Sequence, residues 1–156
     1  MPKPLTVGSK LPNLTVTMTN EQKIKLASLK GNHVVLYFYP RDSTPGCTQE
    51  GKDFRDNYKA FTDLNAIILG VSRDSLSSHE KFKQKYEMPF DLIADPEEEM
   101  CQRFDVMKMK NMYGKQVRGI ERSTFLIDDT GVIRQIWRKV KVPGHVCEVL
   151  ASLKNL

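Results

Sequence analysis

Residues 33–50 read HVVLYFYPRDSTPGCTQE, an apolar run followed by a short polar stretch around a cysteine. The continuous apolar part, 33–39, predicts a strand that is buried on both faces. Pro45 and Gly46 mark a turn, and the residues after them have the apolar spacing of a helix. The pattern therefore predicts that Cys47 lies in the first turn of a helix, at the carboxyl end of a buried strand.

Downstream of this turn, helical and strand patterns alternate. Apolar residues recur at intervals of 4, 3 and 3 positions from Phe54 to Leu64, which predicts a single helix over 45–63. The run AIILGVS (66–72) predicts a second buried strand, and FDLIAD (90–95) predicts a short third strand.

Two further helices flank that third strand. The amphipathic segment 75–87 predicts a helix with Ser75 or Ser77 as its N-cap. The segment DPEEEMCQRF predicts another helix, with Asp95 as its cap and Pro96 at its first helical position.

Two hairpins and a last helix complete the pattern. Alternation of apolar and polar residues over 13–27 predicts an N-terminal hairpin, and RSTFLID and GVIRQIWRKV predict a second hairpin around the turn at 128–131. Segment 143–156 predicts a closing helix with an apolar side formed by Val146, Val149, Leu150 and Leu153. This order predicts one domain, 1–156, of the α/β class: a three-layer sandwich with a mixed central sheet flanked by helices.

Composition excludes several kinds of protein. No apolar run approaches the roughly 20 residues of a membrane span, so we expect no membrane association. The start MPKPLTVGSKLPNL lacks the layout of a secretory signal, and we expect a reducing, cytoplasmic location. The chain has 3 cysteines and 3 histidines, without a CxxC pair or metal-ligand spacing, so we expect no metal and no cofactor.

The chemistry of Cys47 follows from its predicted position. Unpaired N–H groups and the helix dipole favour an anion at a helix N-terminus, and a thiolate is such an anion. Thr44 would bring a hydroxyl towards the sulfur, and it could also cap the helix. Pro40 would shield the sulfur from water, and Glu50, one turn later, could hold an arginine. The alternative is that Cys47 is a small buried hydrophobic residue.

These residues resemble a known active site. Pro40-x-x-x-Thr44-x-x-Cys47 resembles the signature of the peroxiredoxins, and YPRDSTPGCTQE is similar to the form in the bacterioferritin comigratory protein, or peroxiredoxin Q, branch. The resemblance extends through ILGVSRDS, ADPEEEMCQRFDV and ERSTFLIDDTG, and so covers nearly the whole chain.

The resemblance implies a thioredoxin-like fold and a thiol-dependent peroxidase that reduces hydrogen peroxide and organic hydroperoxides through a cysteine sulfenic acid. By position in the motif, Cys47 would be the peroxidatic cysteine, Thr44 would hydrogen-bond the hydroperoxide, and Pro40 would shield the sulfur. Arg122, which precedes the strand STFLI, would complete the site, and Glu50 would orient it.

The chain departs from its branch at the second cysteine. The common pattern of the branch has a resolving cysteine five residues after the first, and here that position is Lys52. Cys101 and Cys147 are the candidate resolving residues, and each has a purely structural alternative. The leading hypothesis is a one-cysteine cycle completed by an external thiol: thioredoxin, glutaredoxin or a small thiol. We expect a monomer or weak dimer.

The segment 103–141 carries 10 lysines and arginines against 4 acidic residues. Aromatic residues are not interleaved with these charges, so the pattern favours a solvated surface, or a docking face for an acidic reductase, over nucleic-acid binding. The rival functions are a redox-inactive thioredoxin-like binding or chaperone module, a general thiol–disulfide oxidoreductase, which would need CxxC, and a cysteine protease, which would need a histidine beside the turn.

Overall fold

Nine strands are present in the computed structural model, which describes residues 5–156. In chain order they are β1 (Thr15–Met18), β2 (Gln22–Lys25), β3 (His33–Phe38), β4 (Ala66–Ser72), β5 (Asp91–Ala94), β6 (Met107–Met112), β7 (Lys115–Ile120), β8 (Ser123–Ile127) and β9 (Ile133–Trp137). Seven strands form one sheet in the order β2-β1-β5-β4-β3-β8-β9. β3, β4 and β5 are parallel and the flanking pairs are antiparallel, so the predicted mixed sheet is confirmed.

Helices cover both faces of this sheet. They are α1 (Pro45–Asp56), α2 (Tyr58–Asp63), α3 (Leu76–Lys85), α4 (Glu99–Arg103) and α5 (His145–Lys154), with a short 3₁₀ helix at Leu26–Leu29. Core residues of α1, α2, α3 and α5 pack on one face, and those of α4 and the 3₁₀ helix pack on the other. The expected three-layer α/β architecture is confirmed.

The central strand β3 explains the continuous apolar run. Val34, Leu36 and Phe38 point into one core cluster, whereas Val35 and Tyr37 point into the other. Successive side chains of a strand alternate between the two faces of a sheet, and here both faces are covered by other elements. A strand in this position therefore needs apolar residues throughout, and all five side chains are buried.

The prediction of one helix over 45–63 is wrong. The chain leaves helical geometry at Asn57, where φ is −107° and ψ is 7°, and this residue separates α1 from α2. The Asn57 side-chain amide donates a hydrogen bond of 2.8 Å to the Asp53 carbonyl oxygen. Such a local bond competes with the helical hydrogen bonds of the backbone. The apolar spacing continues across the break, and for that reason the pattern did not reveal it.

The predicted start of α4 is also wrong. The helix begins at Glu99 rather than Pro96, because Glu98 adopts a left-handed conformation with φ of 61°. The Asp95 carboxylate still accepts hydrogen bonds from the N–H groups of Met100, at 3.1 Å, and Cys101, at 2.8 Å. Asp95 thus accepts hydrogen bonds from N–H groups in the first turn of α4, although residues 96–98 separate it from the start of the helix. At α3, by contrast, Ser75 caps the helix as expected by accepting from Ser78 N–H.

The hairpin of β6 and β7 was not predicted. The two strands pair from Met107 with Ile120 to Met112 with Lys115. The turn residues Tyr113 and Gly114 both have positive φ, 54° and 79°, which matches the two-residue hairpin turns. The sequence MKMKNMYGKQVRGI contained the signal, because apolar and polar residues alternate on each side of a turn that contains Gly114.

None of the helices in residues 5–156 combines the length and the apolar character that crossing a bilayer requires.

Gly70 of β4 provides a test of the packing around β3. A Cβ atom at Gly70 would lie 2.8 Å from Leu92 Cδ2 and 2.8 Å from Tyr37 Cζ. We expect Gly70→Ala to lower the free energy of unfolding by about 1–3 kcal/mol in urea denaturation, because the two neighbours must move.

The matched control is Gly119→Ala, another strand glycine, where the nearest atom to a new Cβ is Lys110 Cδ at 3.8 Å. That variant should stay within about 0.5 kcal/mol of the wild type. Equal effects of the two substitutions would contradict the packing described around Tyr37.

Candidate active site

Cys47 is the third residue of α1 and is almost fully buried, with 2% of its surface exposed. The helix follows the carboxyl end of β3 after the loop at 39–44, and Thr44 is the last non-helical residue. The N–H groups of the first helical turn have no partner within the helix, so they are available to an oxygen or sulfur anion. The predicted position of Cys47 is therefore confirmed.

Arg122 lies directly beside this sulfur. Its Nη2 donates a hydrogen bond of 3.3 Å to Cys47 Sγ, and its Nη1 donates one of 2.7 Å to Glu50 Oε1. The sheet register explains the approach: Ser123, at the start of β8, pairs with Phe38, at the end of β3. Arg122 therefore emerges at the same sheet edge as the loop that leads to Cys47.

The backbone around Arg122 is held on both sides. Its carbonyl oxygen accepts a 3.0 Å hydrogen bond from Val140 N–H, and the preceding residue Glu121 donates a 2.7 Å hydrogen bond to the Val106 carbonyl. A Cβ atom on Gly46 would come within 3.2 Å of Arg122 Nη2. Glycine at position 46 thus leaves room for the guanidinium at the start of α1.

Glu50 is fully buried next to Arg122. Burial raises the pKa of its carboxyl group from 4.5 to about 7, although the Arg122 charge and hydrogen bond act in the opposite direction. Its second oxygen, Oε2, is buried without a hydrogen-bond partner among the described residues. Burial also raises the pKa of Tyr37, and the charges of Glu50, Asp42 and Cys47 add to that increase.

Thr44 is half-buried and occupies the N-cap position, but its side chain does not cap the helix. The hydroxyl instead donates a hydrogen bond of 2.9 Å to the Arg41 carbonyl oxygen. This corrects the expectation that Thr44 caps α1. A hydroxyl group has one proton and two lone pairs, so the Thr44 oxygen is left as an acceptor. Pro40 is half-buried at the bend that follows β3.

The other two cysteines occupy different environments. Cys101 on α4 is fully buried in the core cluster on the opposite face of the sheet from Cys47. Burial, the nearby charge of Asp95 and a hydrogen bond with it raise the pKa of the Cys101 thiol. Cys147 on α5 is exposed, whereas its neighbours Val146 and Val149 pack in the same cluster as Cys47.

Lys110 on β6 is a residue that the sequence did not single out. Burial and the charge of Arg122 lower the pKa of its amino group, while the charge of Cys47 raises it. The lysine is therefore part of the electrostatic surroundings of the Cys47–Arg122 pair. Its proximity depends on the β6–β7 hairpin, whose pairing was not predicted.

A thioredoxin-like sheet that presents a buried cysteine to an arginine, at the start of a helix, is the arrangement of a thiol-dependent peroxidase. The AhpC/TSA family profile matches residues 7–136. Peroxiredoxin Bcp of Bacillus subtilis is 49% identical over 150 residues, which are 96% of this chain and 96% of that protein. Peroxiredoxin Bcp of Xanthomonas campestris is 51% identical over 142 residues, 91% of this chain and 89% of that protein.

Solved structures agree with these relatives. The bacterioferritin comigratory protein of Xanthomonas campestris has a TM-score of 0.90 at 48% identity, covering 96% of this chain and 98% of that one. A cysteine-to-serine variant of PrxQ from Xylella fastidiosa has a TM-score of 0.93 at 42% identity, covering 99% and 98%.

The chain belongs to the AhpC/TSA family and, within it, to the Bcp/PrxQ peroxiredoxins. It is a thiol-dependent peroxidase with a peroxide substrate and a thiol reductant. The resemblance, the thioredoxin-like fold and the peroxidase activity predicted from the sequence are thereby confirmed.

The raised pKa of Glu50 predicts a stability change with pH. Between 4.5, its ordinary pKa, and about 7, the folded chain holds a proton that the unfolded chain releases. The free energy of unfolding should therefore fall as pH rises through this window, by up to about 3 kcal/mol from this one group.

Urea denaturation at a series of pH values, compared between the wild type and Glu50→Gln, isolates this contribution. Glutamine cannot ionise, so the free energy of unfolding of the variant should lack the decrease with pH that Glu50 causes. All other titrating groups contribute equally to the two proteins and cancel in the difference between them. Parallel curves for the two proteins would contradict the raised pKa.

Proposed function

We propose that Cys47 is the peroxidatic nucleophile of a one-cysteine cycle, in a single domain spanning 1–156, that reduces hydrogen peroxide and organic hydroperoxides. The observation that carries the proposal is the 3.3 Å hydrogen bond from Arg122 Nη2 to Cys47 Sγ. A guanidinium at this distance stabilises a thiolate by a charge-assisted hydrogen bond, and the thiolate is the reactive form of cysteine.

The first half of the cycle is a two-electron transfer. The Cys47 thiolate attacks the terminal oxygen of the hydroperoxide, an S–O bond forms, and the O–O bond breaks. The sulfur becomes a sulfenic acid, and the departing alkoxide or hydroxide takes a proton from water to give an alcohol or water. Negative charge thus moves from sulfur to oxygen during the step.

Two donor groups stabilise that movement of charge, and a third group orients the hydroperoxide. Arg122 and the backbone N–H of Cys47 donate to the peroxide oxygens as the O–O bond breaks. Thr44 accepts a hydrogen bond from the hydroperoxide O–H and so orients the substrate, because its own proton is donated to the Arg41 carbonyl oxygen. This specifies the direction of the Thr44 hydrogen bond that the resemblance implies.

Two residues support these groups. Glu50 orients Arg122 through the 2.7 Å hydrogen bond from Nη1, and Nη2 is then directed at the sulfur. Pro40 shields the sulfur from water at the bend after β3. The planar guanidinium suits this arrangement, because it can bind two partners in fixed directions.

The second half of the cycle needs a thiol from outside the chain. An external thiol attacks the sulfenic sulfur, releases water and forms a mixed disulfide, and a second thiol exchanges with that disulfide to regenerate Cys47. Cys101 is separated from Cys47 by the sheet, which argues against a resolving role. Cys147 is exposed, and it is the stronger candidate if a resolving cysteine exists.

Substrate, reductant and location complete the proposal. The solved bacterioferritin comigratory protein of Xanthomonas campestris has alkyl peroxide reduction activity, which supports organic hydroperoxides as substrates here. Thioredoxin, glutaredoxin or a small thiol serves as reductant in a reducing cytoplasm, with the protein as a monomer or weak dimer and without a nucleic-acid partner.

The first test is steady-state consumption of hydrogen peroxide with dithiothreitol. Wild type should turn over and Cys47→Ser should not, because serine supplies no thiolate. Residual turnover by the serine variant would refute the role of Cys47, whereas absence of turnover by the wild type would favour the redox-inactive binding or chaperone module.

A second experiment tests the cycle: the reduced protein receives one equivalent of peroxide without dithiothreitol and is then analysed by non-reducing mass spectrometry. We expect a sulfenic acid on Cys47, trapped by a sulfenic-acid probe, and no internal cross-link. A disulfide from Cys47 to Cys101 or Cys147 would replace the one-cysteine cycle with a two-cysteine cycle.

The β6–β7 hairpin is the surface that we assign to docking of an acidic protein reductase. It carries Lys108, Lys110, Lys115 and Arg118 and has no acidic residue between 107 and 120, although Lys108 pairs with Asp105 and Arg118 with Glu98 from outside the hairpin. It also exposes apolar side chains next to these charges: Met109 at 60%, Tyr113 at 99% and Val117 at 42%. Lys110 connects this surface electrostatically to Cys47.

Charge reversal tests this docking surface. Lys115→Glu should slow reduction of oxidised Cys47 by thioredoxin about threefold or more at low ionic strength, and added salt should reduce the difference. Reduction by dithiothreitol should not change. Lys23→Glu, an exposed lysine on β2, is the matched control. A rate independent of ionic strength would exclude electrostatic docking.

A further inference from the structure

A group of buried hydrogen bonds lies beneath the loop that leads to Cys47. The Asp42 carboxylate accepts hydrogen bonds from Tyr39 OH at 2.6 Å and from Ser78 Oγ at 2.8 Å. His79 Nδ1 lies 2.7 Å from Asp42 Oδ2. Asp42 belongs to the loop, whereas Ser78 and His79 belong to α3. The side chains of Asp42 and His79 are 2% and 0% exposed.

The hydrogen-bond partners of Asp42 and His79 determine how many protons this pair of side chains holds. His79 Nε2 lies 2.9 Å from the Ile93 carbonyl oxygen, which can only accept, so Nε2 donates. Nδ1 then either donates to the Asp42 carboxylate or accepts from the Asp42 carboxyl group. In both forms one proton lies between the two side chains, and the pair is neutral as a whole.

A metal site is the alternative explanation of the cluster. Asp42, Asp74 and His79 place one ligand atom each within 4.8 Å of one another. These atoms already serve as hydrogen-bond partners: Asp74 Oδ2 accepts from Asp42 N–H at 2.8 Å and from Ser72 Oγ. With Asp42 Oδ2 also engaged by His79 and Ser78, the polar atoms satisfy one another.

The cluster attaches the loop to three elements of the core. His79 connects Asp42 to α3 and to β5, through the Ile93 carbonyl, and Asp74 binds the Asp42 backbone from the residues after β4. Within the loop, Ser43 has a left-handed φ of 66°, so the path of the chain from Asp42 to Thr44 is unusual for a residue with a side chain.

We propose that the Asp42–His79 pair is a positioning device for the peroxidase reaction: it holds the loop so that Thr44 and the first turn of α1 meet the hydroperoxide at Cys47. This inference rests on the proposed role of Cys47. Neither Asp42 nor His79 is assigned to contact the substrate, and both act through the loop between them and the reacting sulfur.

The proposal predicts different effects on two reactions of the Cys47 sulfur, peroxide reduction and alkylation. Cleavage of the O–O bond needs Thr44, Arg122 and the Cys47 N–H in defined places, and small displacements of such groups reduce rates strongly. Alkylation by iodoacetamide needs only an accessible thiolate. The ratio of the peroxide rate constant to the alkylation rate constant therefore measures positioning rather than nucleophilicity.

The experiment measures both rate constants on the full chain, with Cys47 resolved by peptide mass spectrometry because Cys147 is exposed. His79→Leu should lower the ratio by about tenfold or more. Thr19→Val is the control: Thr19 is fully buried and donates a hydrogen bond to Asp91, the first residue of β5. Its ratio should stay within about threefold of the wild type.

Substitutions of Asp42 distinguish hydrogen bonding from simple loss of the fold. Asparagine can donate to neutral His79 Nδ1 and still accept from Tyr39, so Asp42→Asn should keep the ratio within about threefold, while Asp42→Ala should lower it about tenfold. These two variants decide the question if His79→Leu does not fold.

Three results would overturn the proposal. They are an unchanged ratio in folded His79→Leu, an unchanged ratio in Asp42→Ala, or an equal loss in the asparagine and alanine variants. Failure of the wild type to form a sulfenic acid on Cys47 is a separate result, because it would refute the proposed function itself.

Discussion

One guanidinium group, that of Arg122, connects the two residues of α1 on which the site depends. It donates to the Cys47 sulfur and to the buried Glu50 carboxylate, while only 15% of its own side chain is exposed. A buried charge is stable only when it is paired and hydrogen-bonded, so each of the three groups requires the others. The loss of the arginine would remove the cation beside the Cys47 sulfur and the interaction that lowers the pKa of the buried Glu50 carboxyl group.

The central sheet determines which other side chains can reach the Cys47 sulfur. Cys47 and Cys101 lie in core clusters on opposite faces, so the folded chain keeps them apart. The antiparallel pairing of β3 with β8 brings Arg122 to the edge where Cys47 begins its helix. At the same edge, Asp42 and His79 attach the intervening loop to α3 and β5. The reactive end of the sheet is thus fixed from several directions.

The errors in the sequence-based prediction have local causes. The helix over 45–63 divides because the Asn57 amide bonds to the Asp53 carbonyl, a contact that apolar periodicity does not register. The helix after β5 starts three residues late because Glu98 adopts a left-handed conformation. The β6–β7 hairpin was missed although its alternation and glycine turn were present in the sequence.

The sequence by itself determined seven of the nine strands and most helices, because apolar periodicity reports burial, and it determined the position of Cys47 in the first turn of a helix, because that pattern is local in the chain. Arg122, 75 residues away, was identified through the resemblance to the peroxiredoxins, and the structure places it beside the Cys47 sulfur. Only the tertiary structure decided the hydrogen bond from Arg122 to the Cys47 sulfur, the separation of Cys47 from Cys101, and the Asp42–His79 pair. These features depend on side-chain directions and on contacts between distant segments, and no local pattern encodes them.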